Sequence, residues 1–349
     1  MSCAACAAKP GVGAIAPLAG LNLAGPANRE ASPLIRSSPR VNSIVTEKPI
    51  DWTELTPAEA PRMSSPTDSP QARSLDPRVT PARPGLAAAA LKGKVEAARF
   101  VAGWSRRVVE GAAPLRRAPA NSAPLDTEAL YGERVVVYEE RDGWAWAQLE
   151  RDGYVGFLPV AALGAPDEPD HRLAVPRSFA YPGPSIKLPP ALALPLGARL
   201  AIAARDGDFA ITADGLHIYG GHLVPLDAAA PDFVAVAERF LEAPYLWGGR
   251  TWQGIDCSGL AQTALSEAGL AAPRDSDMME VSLGAPVAFD HTLADLRRGD
   301  LVFWKGHVGI MRDAETLLHA NGYAMRVTSE PLRVAAARNS GPITSIRRL

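Results

Sequence analysis

The stretch YLWGGRTWQGIDCSGLAQ, from Tyr245 to Gln262, packs three features into eighteen residues. Gly248, Gly249 and Gly254 allow tight turns with positive φ. Asp256-Cys257-Ser258 follows directly. From Cys257 the spacing of Leu260, Ala264, Leu265 and Ala268 predicts an amphipathic helix, with Gly269 as its stop. Cys257 then sits in a helical first turn. Unpaired N–H groups and the positive end of the helix dipole there favour a thiolate, the nucleophilic form of cysteine.

A nucleophile of this kind needs a base, and the base an orienting partner. His307 follows the apolar run Leu301-Val302-Phe303-Trp304, and His319 lies in Leu317-Leu318-His319-Ala320-Asn321. Their spacing fits two adjacent antiparallel strands joined by a turn at Arg312-Asp313-Ala314-Glu315. Both imidazoles would then stand at one end of a sheet, facing the Cys257 helix. A lone buried cysteine is usually an inert small hydrophobe, and a lone strand histidine a satisfied structural residue. The coincidence of glycine turns, a helix-start cysteine and two spaced histidines favours the catalytic reading.

Tyr245, Trp247-Gly248-Gly249, Asp256-Cys257-Ser258-Gly259-Leu260, Gly306-His307-Val308-Gly309 and His319 together resemble the NlpC/P60 family of cysteine peptidases. That resemblance covers roughly the last third of the chain. It implies a circularly permuted papain-like fold that cuts bacterial cell-wall peptides, with no metal or cofactor. Cys257 would be the nucleophile, His307 the base and His319 its orienter. The Cys257 N–H and the Tyr245 hydroxyl would hold the oxyanion.

The chain has 349 residues, 47% of them hydrophobic, and a net charge of −2, with an isoelectric point near 6.3. This allows two or three domains and leaves no basic footprint for nucleic acid or for a membrane surface. Cys3-Ala-Ala-Cys6 has no second Cys or His pair at zinc spacing and reads as incidental. No apolar run reaches membrane-spanning length. Pro10, Gly11, Gly13 and Pro17 interrupt the Ala-rich N-terminus, so it does not read as a signal peptide, and a cytoplasmic location is expected.

Residues 1–74 mix Ala, Pro, Ser, Arg and Asp without period and read as a disordered tail. Residues 75–110 read as an ordered lead-in carrying Leu86, Leu91, Val95 and Phe100 on a short helix or strand. Residues 111–165 alternate short strands with Arg-Asp-Gly turns at Arg141-Asp142-Gly143 and Arg151-Asp152-Gly153, which suggests a small β-barrel. The pattern LYGERVVVYEERDGWAWAQLERDGYVGFLP resembles a bacterial SH3 domain. Residues 166–226 read as a second, degenerate copy, in which His217 and His222 lack ligand partners and are taken as structural. Residues 227–349 form the peptidase unit, opened by a helix after Pro231-Asp232. The class is α+β: two SH3-like barrels followed by an NlpC/P60 domain.

Two SH3-like units before the peptidase resemble the γ-D-glutamyl-L-diamino acid endopeptidases of muropeptide recycling. The resemblance implies a murein-peptide substrate cut between γ-D-Glu and the diamino acid, with its free L-Ala amine bound by acidic and aromatic side chains. The matching positions are Asp256, Ser258, Asp275, Ser276, Trp247 and Tyr154, with Asp126 standing where the family carries Glu. Asp275 has an equal claim to be a helix N-cap. Three alternatives stay open: an exported wall hydrolase using SH3 units to bind polymer, a non-catalytic SH3-based binder, and acyl transfer on a related fold. An intact set of Cys257, His307 and His319 speaks against the binder. Oligomeric state and the choice between diaminopimelate and Lys are not legible.

Overall fold

The computed structural model describes residues 75–339 and 341–349. The expected tail at 1–74, with Cys3 and Cys6, lies outside the described residues. The C-terminal body is built on a six-stranded antiparallel sheet. Its spatial order is Ala285–Pro286, Ser345–Arg348, Leu301–Trp304, His307–Met311, Thr316–Asn321 and Arg326–Pro331. Leu301–Trp304 is apolar at every position because both of its faces are covered. Leu301 and Phe303 join the core beneath helices α1 (Phe233–Glu238) and α2 (Cys257–Glu267), while Val302 and Trp304 join a second core shared with Leu332 and Ala335. Those two residues belong to α4 (Leu332–Arg338), and α3 (Ser276–Ser282) lies between α2 and the sheet in sequence.

The predicted starts of α1 and α2 and the stop of α2 hold, while α1 ends at Glu238. Asp232 caps α1 through the N–H groups of Val234 and Ala235 at 2.9 and 3.2 Å, and Gly269, with φ of 76°, follows the end of α2. The amphipathic reading of α2 does not hold. Ten of its 11 residues are buried, all but Ser266. The polar face expected to meet solvent instead meets the preceding β units: Gln262 donates to Asp152 at 2.9 Å, and Glu267 pairs with Arg172.

Residues 104–164 form one seven-stranded antiparallel sheet, ordered Leu163–Gly164, Trp104–Val108, Arg134–Arg141, Trp144–Leu149, Val155–Pro159, Ala112–Arg116 and Leu125–Leu130. Its first strand in sequence, Trp104–Val108, lies in the stretch that sequence assigns to the lead-in. The text WSRRV has no alternating apolar run to betray a strand. The Asp142 and Asp152 turns fall where expected, with Gly143 and Gly153 at positive φ. The rest of the lead-in forms a three-stranded sheet of Ala82–Arg83, Leu86–Ala88 and Phe100–Val101. Leu86 and Ala88 pack against Tyr138 and Trp146 of the seven-stranded sheet.

Residues 171–225 are divided between two sheets. Five strands, Leu192–Pro195, Arg177–Tyr181, His217–Tyr219, Phe209–Thr212 and Ile202–Asp206, form one, and Arg199–Leu200, His171–Leu173 and Leu223–Pro225 the other. His222 Nδ1 lies 2.9 Å from Ser178 Oγ, and His217 sits edge-on to Phe209, so both are structural residues of this unit.

Buried arginines join these units. Arg250, in the glycine-rich stretch, reaches across to Glu133 and to the Glu128 carbonyl of the seven-stranded sheet, and Arg151 meets the same Glu133. The backbone passes close enough at Gly248 (φ 79°) that a Cβ there would stand 2.8 Å from the Leu125 side chain and 2.9 Å from its carbonyl oxygen. At Gly132 a Cβ would stand 2.0 Å from the Arg199 carbonyl oxygen. Glu133 is 3% exposed, and burial alone would push its carboxyl up, but Arg250 and Arg151 hold it down at about 2. A depressed carboxyl stabilises the fold above the ordinary glutamate range, and that contribution is lost progressively as pH falls from that range through about 2. At pH 7, Glu133→Gln leaves two buried guanidiniums short of a counter-charge and is expected to cost about 3–5 kcal/mol. Urea denaturation checks this; a loss below about 1 kcal/mol would show that the seam is held by other contacts.

Candidate active site

Asp256 is the N-cap of α2, and it takes up the donors that would otherwise serve the thiol. Its Oδ1 accepts from Gly259 N–H at 2.7 Å, and its Oδ2 from Gly248 N–H at 2.7 Å. Arg274, 2% exposed, grips both oxygens at 3.0 and 2.7 Å, donates to Ser258 Oγ at 2.8 Å and reaches Thr127 Oγ1 of the seven-stranded sheet at 2.8 Å. Cys257 is 8% exposed. Burial, and after it the Asp256 carboxylate, push its thiol up to about 12; the Val308 and Ser258 N–H groups and Arg274 pull more weakly the other way. Burial and the Asp256 carboxylate thus act against the thiolate that the helix terminus favours.

His307 opens its strand, next to Val308, whose N–H meets the thiol. The register pairs Ile310 with Leu318 and Met311 with Leu317, and its continuation sets His319 opposite Gly309, on the same sheet face as His307. His307 Nε2 and His319 Nδ1 are 2.8 Å apart. His319 is fully buried; its Nε2 lies 2.9 Å from Glu330 Oε1 and 3.1 Å from Asn321 Nδ2. Glu330 is gripped in turn by both terminal nitrogens of Arg338.

Of the two groups on His319 Nε2, the charged Glu330 outweighs the Asn321 amide in setting the tautomers. The Arg338 bond holds the Glu330 carboxyl at about 2 against burial, so it is ionised and requires a proton on His319 Nε2. His319 Nδ1 then presents a lone pair and accepts from His307 Nε2–H. The lone pair of His307 is left on Nδ1, the nitrogen free of the relay. Burial, then His319 and Arg338, lower the His307 pKa to about 3, so the ring is neutral with its lone pair at that atom. The His319 pKa is also lowered, by burial, with Glu330 opposing.

A cleft of about 260 Å3 opens over Cys257. Tyr245, Trp247, Asp256 and Ser258 line it from the glycine-rich stretch and α2, and Asp275 and Ser276 from the start of α3. Asp126 and Tyr154 line it from the seven-stranded sheet. All the substrate-binding positions named from sequence thus meet around one cysteine. Their roles differ. Asp256 and Ser258 are already bonded to Arg274. Trp247 is 65% exposed at the rim. Burial, Cys257 and Asp256 raise the Tyr245 pKa, so its hydroxyl stays a donor. Asp275 occupies the N-cap position of α3 but makes no capping bond; its Oδ2 accepts instead from the Tyr154 hydroxyl at 3.1 Å and from Arg78 at 2.8 Å. Asp126 pairs with Arg117 at 2.6 Å.

Four participants are not legible in the text. Glu330 and Arg338 complete the histidine relay, but a strand Glu becomes a histidine partner only once the pairing of Thr316–Asn321 with Arg326–Pro331 is known. Arg274 lies beside Asp275 in sequence, and nothing in its spacing marks it as buried. Arg78 comes from a lead-in with no motif.

The SH3 domain of bacterial dipeptidyl-peptidases matches residues 115–163, and the NlpC/P60 family matches residues 242–339. Two γ-D-glutamyl-L-lysine dipeptidyl-peptidases are similar over longer spans. That of Bacillus subtilis is 28% identical over 228 residues, 56% of this chain and 72% of the relative. That of Bacillus cereus is 28% identical over 210 residues, 53% of this chain and 61% of the relative. A solved NlpC/P60 family protein from Bacillus cereus shares the fold, with a TM-score of 0.60 at 22% identity over 70% of this chain and 99% of that one. The chain therefore carries an NlpC/P60 domain at residues 242–339, preceded at residues 115–163 by an SH3 domain of the bacterial dipeptidyl-peptidase type.

Proposed function

We propose that the protein is a cysteine peptidase that hydrolyses the bond between γ-D-Glu and the diamino acid of murein peptides, with preference for a free N-terminal L-Ala. The proposal takes the two N-terminal units as SH3-like barrels, the last as a permuted papain-like domain, and the setting as cytoplasmic peptide recycling. The observation that carries it is the cleft. Acidic and phenolic groups of the SH3 domain, Asp126 and Tyr154, converge with Asp275 at the cysteine, closing one end with carboxylates suited to an ammonium. The names of the two Bacillus relatives point the same way.

In this reading Cys257 attacks the carbonyl as its proton passes to His307 Nδ1. The new positive charge is shared through His307 Nε2–H and His319 toward Glu330. The Cys257 N–H and the Tyr245 hydroxyl stabilise the oxyanion. His307 then returns the proton to the leaving amine, and water deacylates the thioester.

A wall hydrolase that grips polymer through SH3 surfaces is less well supported. The aromatic face of the first unit is covered by the lead-in: the Arg83 guanidinium lies 4.5 Å over Trp146 and 5.7 Å from Phe157, and Leu86 packs beside them.

Cys257→Ala is expected to abolish hydrolysis of the tripeptide L-Ala-γ-D-Glu-diaminopimelate, and His307→Ala to come close to that. Glu330→Gln, which removes the anchor of the tautomers, is expected to lower kcat about 10–100-fold with little change in KM. Mass analysis of the products and steady-state rates test all three; hydrolysis by Cys257→Ala would end the mechanism.

Since the thiol is pushed up to about 12 and the imidazole down to about 3, the free protein holds a neutral pair at pH 7. Alkylation of Cys257 by iodoacetamide is expected to be slow at pH 6–8 and to climb with pH. A fast, pH-independent reaction between pH 5 and 8 would mean a resting thiolate–imidazolium pair.

Specificity separates recycling from wall lysis. Removing one partner of a buried, hydrogen-bonded charge pair costs roughly 2–5 kcal/mol, or about 30-fold and upward in kcat/KM. N-acetylation of the tripeptide is expected to slow cleavage by that factor, and Asp275→Asn to erase most of the difference. Equal rates on intact sacculi and on the free tripeptide would overturn the recycling role and leave the cysteine chemistry standing.

A further inference from the structure

The amine-binding end of the cleft has a wall that none of the motif residues supplies. Building on the reading above, we propose that Arg78 is a positioning residue for substrate-amine recognition: it fixes the Asp275 carboxylate so that Oδ2 is held by the protein and Oδ1 is left to the ammonium.

Arg78 Nη1 donates to Asp275 Oδ2 at 2.8 Å, the oxygen that also takes the Tyr154 hydroxyl. Its other donors go to Asp277 at 2.9 and 2.8 Å, and to Asp76 at 3.1, 3.2 and 2.7 Å. A guanidinium has five N–H donors in a rigid fork, and here they are spent on protein carboxylates, so Arg78 is not a receptor for a substrate anion. Nor is it a lid. Its carbonyl accepts from Val155 N–H at 2.7 Å, its own N–H donates to Asp76 at 2.9 Å, and the next carbonyl, of Val79, accepts from Gln148 at 3.0 Å. Held by main chain and side chain alike, it is a fixed part of the cleft. Asp275 makes no capping bond of its own, and among the described residues no donor is bonded to its Oδ1. Its orientation therefore rests on Arg78 and Tyr154, groups brought from outside the NlpC/P60 domain.

Charge acts in the same direction. The groups around Asp275 are Arg274 next to it in the chain, Arg78 and Tyr154 at Oδ2, Asp277 on its own helix, and the Asp126–Arg117 pair across the cleft. Burial pushes the Asp275 carboxyl up, while Arg274, Arg78 and the Tyr154 bond pull it down. Without Arg78, the carboxyl keeps Arg274 and the more exposed Arg117, itself paired with Asp126, but loses the cation bonded to its Oδ2, so it takes up a proton at higher pH. A protonated carboxyl no longer pairs with an ammonium.

The test uses the full chain and two peptides, L-Ala-γ-D-Glu-diaminopimelate and its N-acetyl form, with kcat and KM measured from pH 5 to 8. Arg78→Met is expected to raise KM for the free-amine peptide roughly 10-fold, as for one charged hydrogen bond, with kcat little changed. It should also move the acid limb of kcat/KM to higher pH for that peptide alone. Arg78→Lys, which keeps the charge and loses the fork, should fall between. Asp277→Asn, which loosens Arg78 without touching Asp275, should raise KM in the same sense by a smaller factor. A KM and acid limb equal to wild type in Arg78→Met would overturn the proposal, as would equal losses on both peptides, since those report structural damage. If the wild-type protein cuts both peptides equally, the amine subsite itself falls, and that arm is read before any variant.

Discussion

The buried pair between Arg274 and Asp256 is the constraint around which the rest is arranged. Asp256 ends the glycine-rich stretch, caps α2 and sits beside the thiol, and it can be buried there only because a guanidinium meets both of its oxygens. That guanidinium is itself tied to Thr127 of the neighbouring sheet. One ion pair thus sets the start of the cysteine helix and the approach of the SH3 domain. It also sets the resting state of the thiol, since Asp256 contributes negative charge where a bare helix terminus would contribute positive. A buried pair of this kind is not by itself a source of stability, because desolvating two ions offsets much of their attraction. What it supplies is a single permitted geometry, in which a misplaced sheet would leave charges unpaired.

The sheet end of the site works by a different principle. Three side chains, His307, His319 and Glu330, are lined up by strand register, and Arg338 on α4 fixes the last of them. Because Glu330 is ionised, proton positions are dictated inward from the far end. Burial lowers the pKa of both rings.

Much of this was legible in sequence where a residue's role follows from local pattern. The helix start at Asp232, the stop at Gly269, the strand pair carrying His307 and His319 and the turn between them all rest on spacing of a few residues. The side chains gathered in the cleft were legible through a resemblance, as a set. What was not legible depends on contacts between distant segments. Arg274 and Glu133 look like surface charges until a partner more than a hundred residues away buries them. The polar residues of α2 mimic a solvent face for the same reason. Trp104–Val108 pairs as a strand although its text is rich in arginine, because its backbone finds Arg134–Arg141 regardless of side-chain pattern. The helix dipole that favours a Cys257 thiolate was legible, but the burial and the neighbouring carboxylate that oppose it were not.

The near-contacts at Gly248 and Gly132 bear on how such a chain can change over time. At both places the backbone of one unit runs against another with no room for a Cβ. Domains joined by flexible linkers can be shuffled, duplicated or replaced one at a time, because each keeps its own surface. Here the units meet main chain to main chain, and one side of the cleft wall belongs to a neighbour. Transplanting the last hundred residues onto a foreign partner would carry over the cysteine and its relay but leave the mouth of the site unfinished. Variation in specificity is then confined to substitutions that both sides accept together, so the three units are inherited as one piece.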